Sequence, residues 1–232
     1  MTTDVAFPPG LILVLGAALI PFAAERQRLL LLLGLPLMTL AAVWWLPDGS
    51  LLQLGFLDYT LEPVKSTAEG RLFATVFSIM TLAGGLYAHR QASTLELTAA
   101  FVYAGAAIGV TFAGDLLTLF VFWEIMAFGS TVVVWSAGSV GAQRAGLRYL
   151  LVHLLGGVIL MVGIVAQVAT TGSLAFAAMT PDSLATALIL IGFLVNAGAP
   201  PLSAWIADAY PEATPSGTVF LSAFTTKTAV YA

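Results

Sequence analysis

The stretch Gly114 to Trp135, GDLLTLFVFWEIMAFGSTVVVW, is an apolar run of helix length with one carboxylate, Glu124, near its middle. At about 1.5 Å of rise per residue counted from Asp115, Glu124 lies roughly 13 Å along that helix. This is close to the midplane of a hydrocarbon core about 30 Å thick. Insertion scales put an acidic residue at that depth near +3 kcal/mol. A carboxylate retained there belongs to an ion pathway or partners a buried charge. The plainer alternative is a structural carboxylate hydrogen-bonded to a neighbouring helix.

The rest of the chain fits a lipid setting. Of 232 residues 59% are hydrophobic and 9% charged, and the mean hydropathy is +0.99. Soluble domains carry about 25% charge, so this composition predicts a polytopic, all-α membrane protein whose surface faces the lipid bilayer. No basic patch is available for nucleic acid. Cysteine is absent, which excludes disulfides, thiolate metal sites and iron–sulfur ligation. His89 and His153 fall on different segments, so a haem pair is not expected, and no G-x-G fingerprint for a dinucleotide occurs. The expectation is therefore no cofactor and no catalytic centre. The first apolar run lacks a basic flank and reads as a retained helix, not a cleaved signal.

Eight helices are expected. The first three run from Pro9 to Ala24, Leu29 to Leu46 and Arg71 to Ala88, and the charged segment 47–70 between the second and third is an aqueous loop with room for a short hairpin. The fourth runs from Glu96 to Ala113, only Gly114-Asp115 separates it from the fifth, which ends near Trp135, and the sixth runs from Arg144 to Thr170. The seventh starts near Leu184 and meets Pro200-Pro201, where neither proline can donate to the carbonyls of Asn196 and Ala197. In lipid such carbonyls need water, an ion or a side chain, and broken helices of this kind line ion sites in transporters. A short half-helix, Leu202 to Tyr210, follows. Thr214-Pro215 reads as an N-cap with proline at the first position of the eighth helix. That helix ends with the sequence about one turn short of a full span, so the C-terminus looks truncated.

Lys227 is the one lysine inside an apolar run and lies about 18 Å along the eighth helix, again near the midplane. It is the candidate partner of Glu124, across the interface of the fifth and eighth helices. His153 shares a helical face with Tyr149, Gly156 and Gly157 and reads equally as a packing histidine or a relay member. Trp44, Trp45, Trp135 and Trp205 sit near expected helix ends and read as interface markers. Arg26, Arg28, Arg90, Arg144 and Arg148 fall on one side of an alternating threading, against Lys65 and Arg71 on the other. The positive-inside rule then puts the N-terminus outside.

Three segments, DLLTLFVFWEIMAFGS (115–130), PLSAWIADAYPEATP (201–215) and SAFTTKTAVYA (222–232), resemble the antiporter-like proton-channel subunits of respiratory complex I and of Mrp-type multisubunit cation/proton antiporters. The last two look most like the D-type subunit of the Mrp antiporters. The resemblance covers the chain from about residue 60 onward. It implies a fold of about fourteen helices with two inverted five-helix repeats. Residues 1–93 would then be the three leading helices and 94–232 the first repeat. It implies that Glu124 and Lys227 belong to a chain of buried ionisable groups. The family's lysine before the break of the seventh helix is matched here by Asn196, and its usual histidine or aromatic residue after Pro-Leu by Ser203. The reading is a subunit of a multisubunit complex in the cell (inner) membrane that translocates protons, with exchange for Na+ left open, through Glu124, Lys227, Asn196 and His153 at the break Pro200-Pro201. A structural subunit without transport of its own and a stand-alone secondary transporter are the rival readings.

Overall fold

The computed structural model describes residues 6–232; the first five residues, including the chain start expected outside the membrane, lie outside the described residues. Helices α1 (Pro9–Ala17) and α2 (Glu25–Trp45) precede strands β1 (Gly49–Phe56) and β2 (Tyr59–Ser66). Then follow α3 (Ala68–Ala88), α4 (Thr94–Phe112), α5 (Leu116–Trp135), α6 (Val140–Thr171), α7 (Leu184–Ala197), α8 (Ala204–Ala209), α9 (Pro215–Ala223) and α10 (Thr225–Tyr231). Helices α2 to α6 are long and apolar enough to cross a membrane, while α7 and α1 with its trailing turn are shorter. The expected helical bundle is present, with the antiparallel β1–β2 hairpin filling the segment between α2 and α3.

Side-chain caps set where the helices begin. Thr67, Ser93, Asp115, Ser139, Ser183 and Thr214 each accept the amide three residues on, at the starts of α3, α4, α5, α6, α7 and α9. Each such cap contributes about 1 kcal/mol. The first helix ends at Ala17 and continues only as a 3-10 turn over Ile20–Phe22, because Pro21 has no amide to give the Ala17 carbonyl.

The seventh helix is interrupted between Ala197 and Ala204, a break that contains Pro200-Pro201 as expected, and one expected feature, an unbroken eighth helix, is corrected. The seventh helix is closed by Gly198, two residues before Pro200-Pro201. Gly198 takes the left-handed conformation (φ 68°, ψ 34°) and its amide donates to Val195. The Ala199 amide reaches back to Leu194 at 3.1 Å. This is a glycine C-cap, so Pro200 and Pro201 prevent resumption of a helix that has already stopped. The eighth helix is not continuous: α9 and α10 meet at Phe224, which holds φ −115° and ψ −66°.

α4 is the axis of the bundle; 83% of its spanning window is buried, against 61% or less for the other spans. It packs against α1, α3, α5, α9 and α10. Its Gly105 and Gly109 meet Gly10 of α1 backbone to backbone, and a Cβ on Gly10 would lie 2.7 Å from the Gly109 amide. Small residues in this spacing let membrane helices approach closely.

The connections segregate to two ends. At one end the Gly114 amide donates to Glu62 in the hairpin, Leu116 to Leu174 and Phe176 to Gly114. Buried Asp115 locks this junction, accepting the amides of Glu62 and Thr118 at 2.7 Å each and the Thr118 hydroxyl at 2.6 Å. At the other end Arg148 of α6 makes a two-point ion pair with Asp208 of α8, both bonds 2.7 Å, and Glu96 at the start of α4 meets the start of α9.

Candidate functional site

Glu124 sits half-buried on the side of α5 that faces α6, against Gly157; a methyl group there would overlap its Oε1. That oxygen is buried and has no hydrogen-bond partner among the described residues. The indole nitrogen of its neighbour Trp123 is likewise buried and unpartnered, and the Trp123 ring lies 5.2 Å from that of Phe193 on α7. α5 thus carries two unsatisfied polar atoms toward α6 and α7.

His153, one turn along α6 from Gly157, is 1% exposed. Its Nδ1 pairs with the Tyr149 carbonyl at 2.9 Å, its ring stacks on Tyr149 with centroids 4.0 Å apart, and its Nε2 has no described partner. Trp205 of α8 meets the His153 ring edge-to-face at 4.7 Å. The Trp205 indole donates to the Val195 carbonyl at 3.0 Å, in the last turn of α7. Trp205 is therefore 5% exposed and part of the site, which corrects its reading as an interface marker. Trp44 and Trp45, at 61% and 89% exposed, do face outward at a helix end.

Asn196 is fully buried, and neither its Oδ1 nor its Nδ2 finds a described partner. Nor does any described donor reach the carbonyls of Asn196 and Ala197. Thr228 of α10, the helix packed against α7, adds a buried unpartnered hydroxyl. Helices α5, α6, α7 and α10 thus each direct an unsatisfied polar atom into the bundle, where an uncompensated group costs about 1–3 kcal/mol.

Of the expected pairing of Glu124 with Lys227, directly or through one water, the direct ion pair does not form. The ion pairs among the described residues are Arg71–Asp48 and Arg148–Asp208. Lys227 lies on the exposed face of α10, and its ammonium donates to the Ser222 carbonyl at 2.7 Å and the Thr226 hydroxyl at 3.0 Å. Depth along a helix fixes one coordinate only; α10 packs on α7, α4 and α9, and Lys227 lies on its exposed side.

A hydroxyl chain that sequence reasoning missed crosses the bundle. Tyr103 Oη lies 2.5 Å from Thr225 Oγ1, which is 3.4 Å from Tyr149 Oη, which donates to Ser130 Oγ at 2.9 Å. Below it, buried Glu96 takes the hydroxyls of Thr214 and Ser216 at 2.8 and 2.5 Å. The spacing Ser93-x-x-Glu96 signals only a local helix start; the long-range partners come from the fold.

Residues 113–232 match the family described as NADH:quinone oxidoreductase/Mrp antiporter, TM. NADH-quinone oxidoreductase subunit N of Deinococcus radiodurans is 31% identical over 145 residues, 57% of this chain and 30% of the relative. The D subunit of a probable K(+)/H(+) antiporter of Rhizobium meliloti is 33% identical over 119 residues, 46% of this chain and 22% of the relative. The Mrp complex from Dietzia sp. superposes with a TM-score of 0.79 at 26% identity, over 100% of this chain and 48% of the matched one. The chain thus spans less than a third of these curated relatives and about half of the matched structure. With more than half of its length in the family match and its full length in the fold, this chain belongs to the NADH:quinone oxidoreductase/Mrp antiporter transmembrane family.

Proposed function

We propose that the chain forms a proton-conducting half-channel, residues 94–232 acting as the unit, within a multisubunit cation/proton antiporter or respiratory complex of the cell (inner) membrane. The N-terminus faces outward in this reading, by the excess of arginines on the opposite side. The observation that carries it is the set of buried, unsatisfied polar atoms of Glu124, His153, Asn196 and Thr228 on the packed helices α5, α6, α7 and α10. Such atoms in a membrane interior call for bridging water, and a file of water between a carboxylate and an imidazole moves protons by relay.

Asn196 cannot itself release a proton. Its amide and the open end of α7 coordinate the water, while Glu124 and His153 hold the charge in transit and Lys227 takes it onward on the far face of α10. Neighbouring subunits cover the exposed Lys227, since an ammonium facing lipid at this depth is costly. Proton uptake by proteoliposomes holding the assembled complex tests this. Asn196→Leu dries the pocket and stops transport, whereas Asn196→Lys keeps it.

The second reading, a structural subunit with an idle half-channel, draws on the failure of Glu124 and Lys227 to form a direct ion pair. Normal transport by both Asn196→Leu and Glu124→Gln would establish it.

A further inference from the structure

In an unbroken helix the Thr225 amide would donate to the Leu221 carbonyl four residues back. Here it donates to Tyr103 Oη at 2.8 Å, and the same Oη lies 3.4 Å from the Leu221 carbonyl. A phenol carried by α4 therefore stands between the two backbone groups that the break at Phe224 separates. Insertion of a side chain into the i→i−4 ladder is a recognised cause of a helix break. Tyr103 is held in place for this: it is fully buried, and its ring meets that of Phe224 edge-on at 5.2 Å, which in turn meets Phe77 at 5.4 Å. Tyr210 adds a second donor to the Leu221 carbonyl at 2.7 Å but makes no bond to the Thr225 amide.

The break has a second product. The Ser222 carbonyl lies in the last turn of α9, where a helix leaves its carbonyls unpaired, and it receives the Lys227 ammonium at 2.7 Å. In a continuous helix the Thr226 amide would claim that carbonyl. The open break thus creates the acceptor that anchors the lysine.

We propose that Tyr103 is the positioning residue of Lys227: its hydroxyl keeps the helix open between Leu221 and Thr225, and the open helix presents the Ser222 carbonyl to the ammonium. The proposal rests on the reading of Lys227 as a member of the proton path. The test uses the assembled complex, by electron cryo-microscopy and by proton uptake in proteoliposomes. In Tyr103→Phe the Thr225 amide recovers the Leu221 carbonyl, one helix runs through Phe224, and Lys227 leaves Ser222. Transport falls about tenfold or more, and Tyr103→Phe combined with Lys227→Met transports no less than Lys227→Met alone, because both act on one group. Tyr210→Phe and Thr225→Val, which leave the bond from the Thr225 amide to Tyr103 intact, keep the break open. A helix that stays broken in Tyr103→Phe, or one that closes in Thr225→Val, overturns the proposal, as does a Lys227 that remains on Ser222 when the helix closes. Full transport by Lys227→Met overturns instead the reading of Lys227, and the Leu221–Thr225 separation still decides alone whether Tyr103 holds the break.

Discussion

Glu124 occupies its place because position 157 has no side chain. A Cβ on Gly157 would collide with Oε1, the far end of a flexible side chain, and not with backbone. Gly157→Ala should therefore fold and assemble, but with the carboxyl pushed off its rotamer at a cost of about 0.5–1.5 kcal/mol. Proton uptake by the assembled complex should drop by up to about tenfold with little change in assembly. An unchanged rate would mean that the position of the Glu124 carboxyl is unimportant. At this scale the sequence showed what was anomalous: a carboxylate, an imidazole and an amide in apolar runs stand out by cost alone. It could not show the hydroxyl chain, because a serine or threonine in a membrane helix ordinarily bonds its own backbone, as Ser78 does to Ala74 and Thr81 to Phe77. Ser130 does the same to Met126 and Ala127, and only the packing of α4, α5, α6 and α10 brings Tyr149, Thr225 and Tyr103 into line with it.

At the next scale the helix ends carry the proposed mechanism. Proline attracts attention as a helix breaker, yet α7 is ended by Gly198, whose positive φ costs a residue with a Cβ about 1–2 kcal/mol. A Cβ there would also lie 2.5 Å from Ile206 Cδ1 in α8. Gly198→Ala should lower the thermal midpoint of the detergent-solubilised complex more than Pro200→Ala, since at Pro200 the helix has already stopped. The reverse order would return the break to the prolines. The half-helix after the break was legible as a segment, but what it does was not. Only six residues long, it delivers Trp205 to both His153 and the Val195 carbonyl. Nothing local marks Trp205 as different from Trp44; both stand near a helix end, and only the return of α8 into the bundle buries one of them. The break at Phe224 left no sequence signal at all, since neither glycine nor proline lies between Gly217 and the end of the chain. It depends on Tyr103, more than a hundred positions away in the chain.

For the whole molecule, alternating hydropathy and the side-to-side difference in arginine specify a threading, and the backbone bonds supply an independent geometric check. The hairpin, the Gly114-Asp115 turn and the segment after α6 are tied together at one end, and the starts of α4 and α9 with the α6–α8 ion pair gather at the other. Alternation demands that grouping but does not say which end faces out. Labelling single cysteines placed in the cysteine-free chain decides it. The probe sites follow from exposure, not from loop membership: Ser66 ends β2 within the aqueous segment yet is 2% exposed, so a cysteine there would stay silent on either side. Asp58 at the hairpin tip and Ser173 after α6 are exposed, as are Gln91 and Gln143 at the opposite end. With the N-terminus outside, Asp58→Cys and Ser173→Cys should react with an impermeant maleimide in intact cells, while Gln91→Cys and Gln143→Cys should react only after permeabilisation. The inverse pattern would turn the molecule over in the membrane and place the Arg148–Asp208 end, with Trp205 behind it, on the outer side of the proposed proton path.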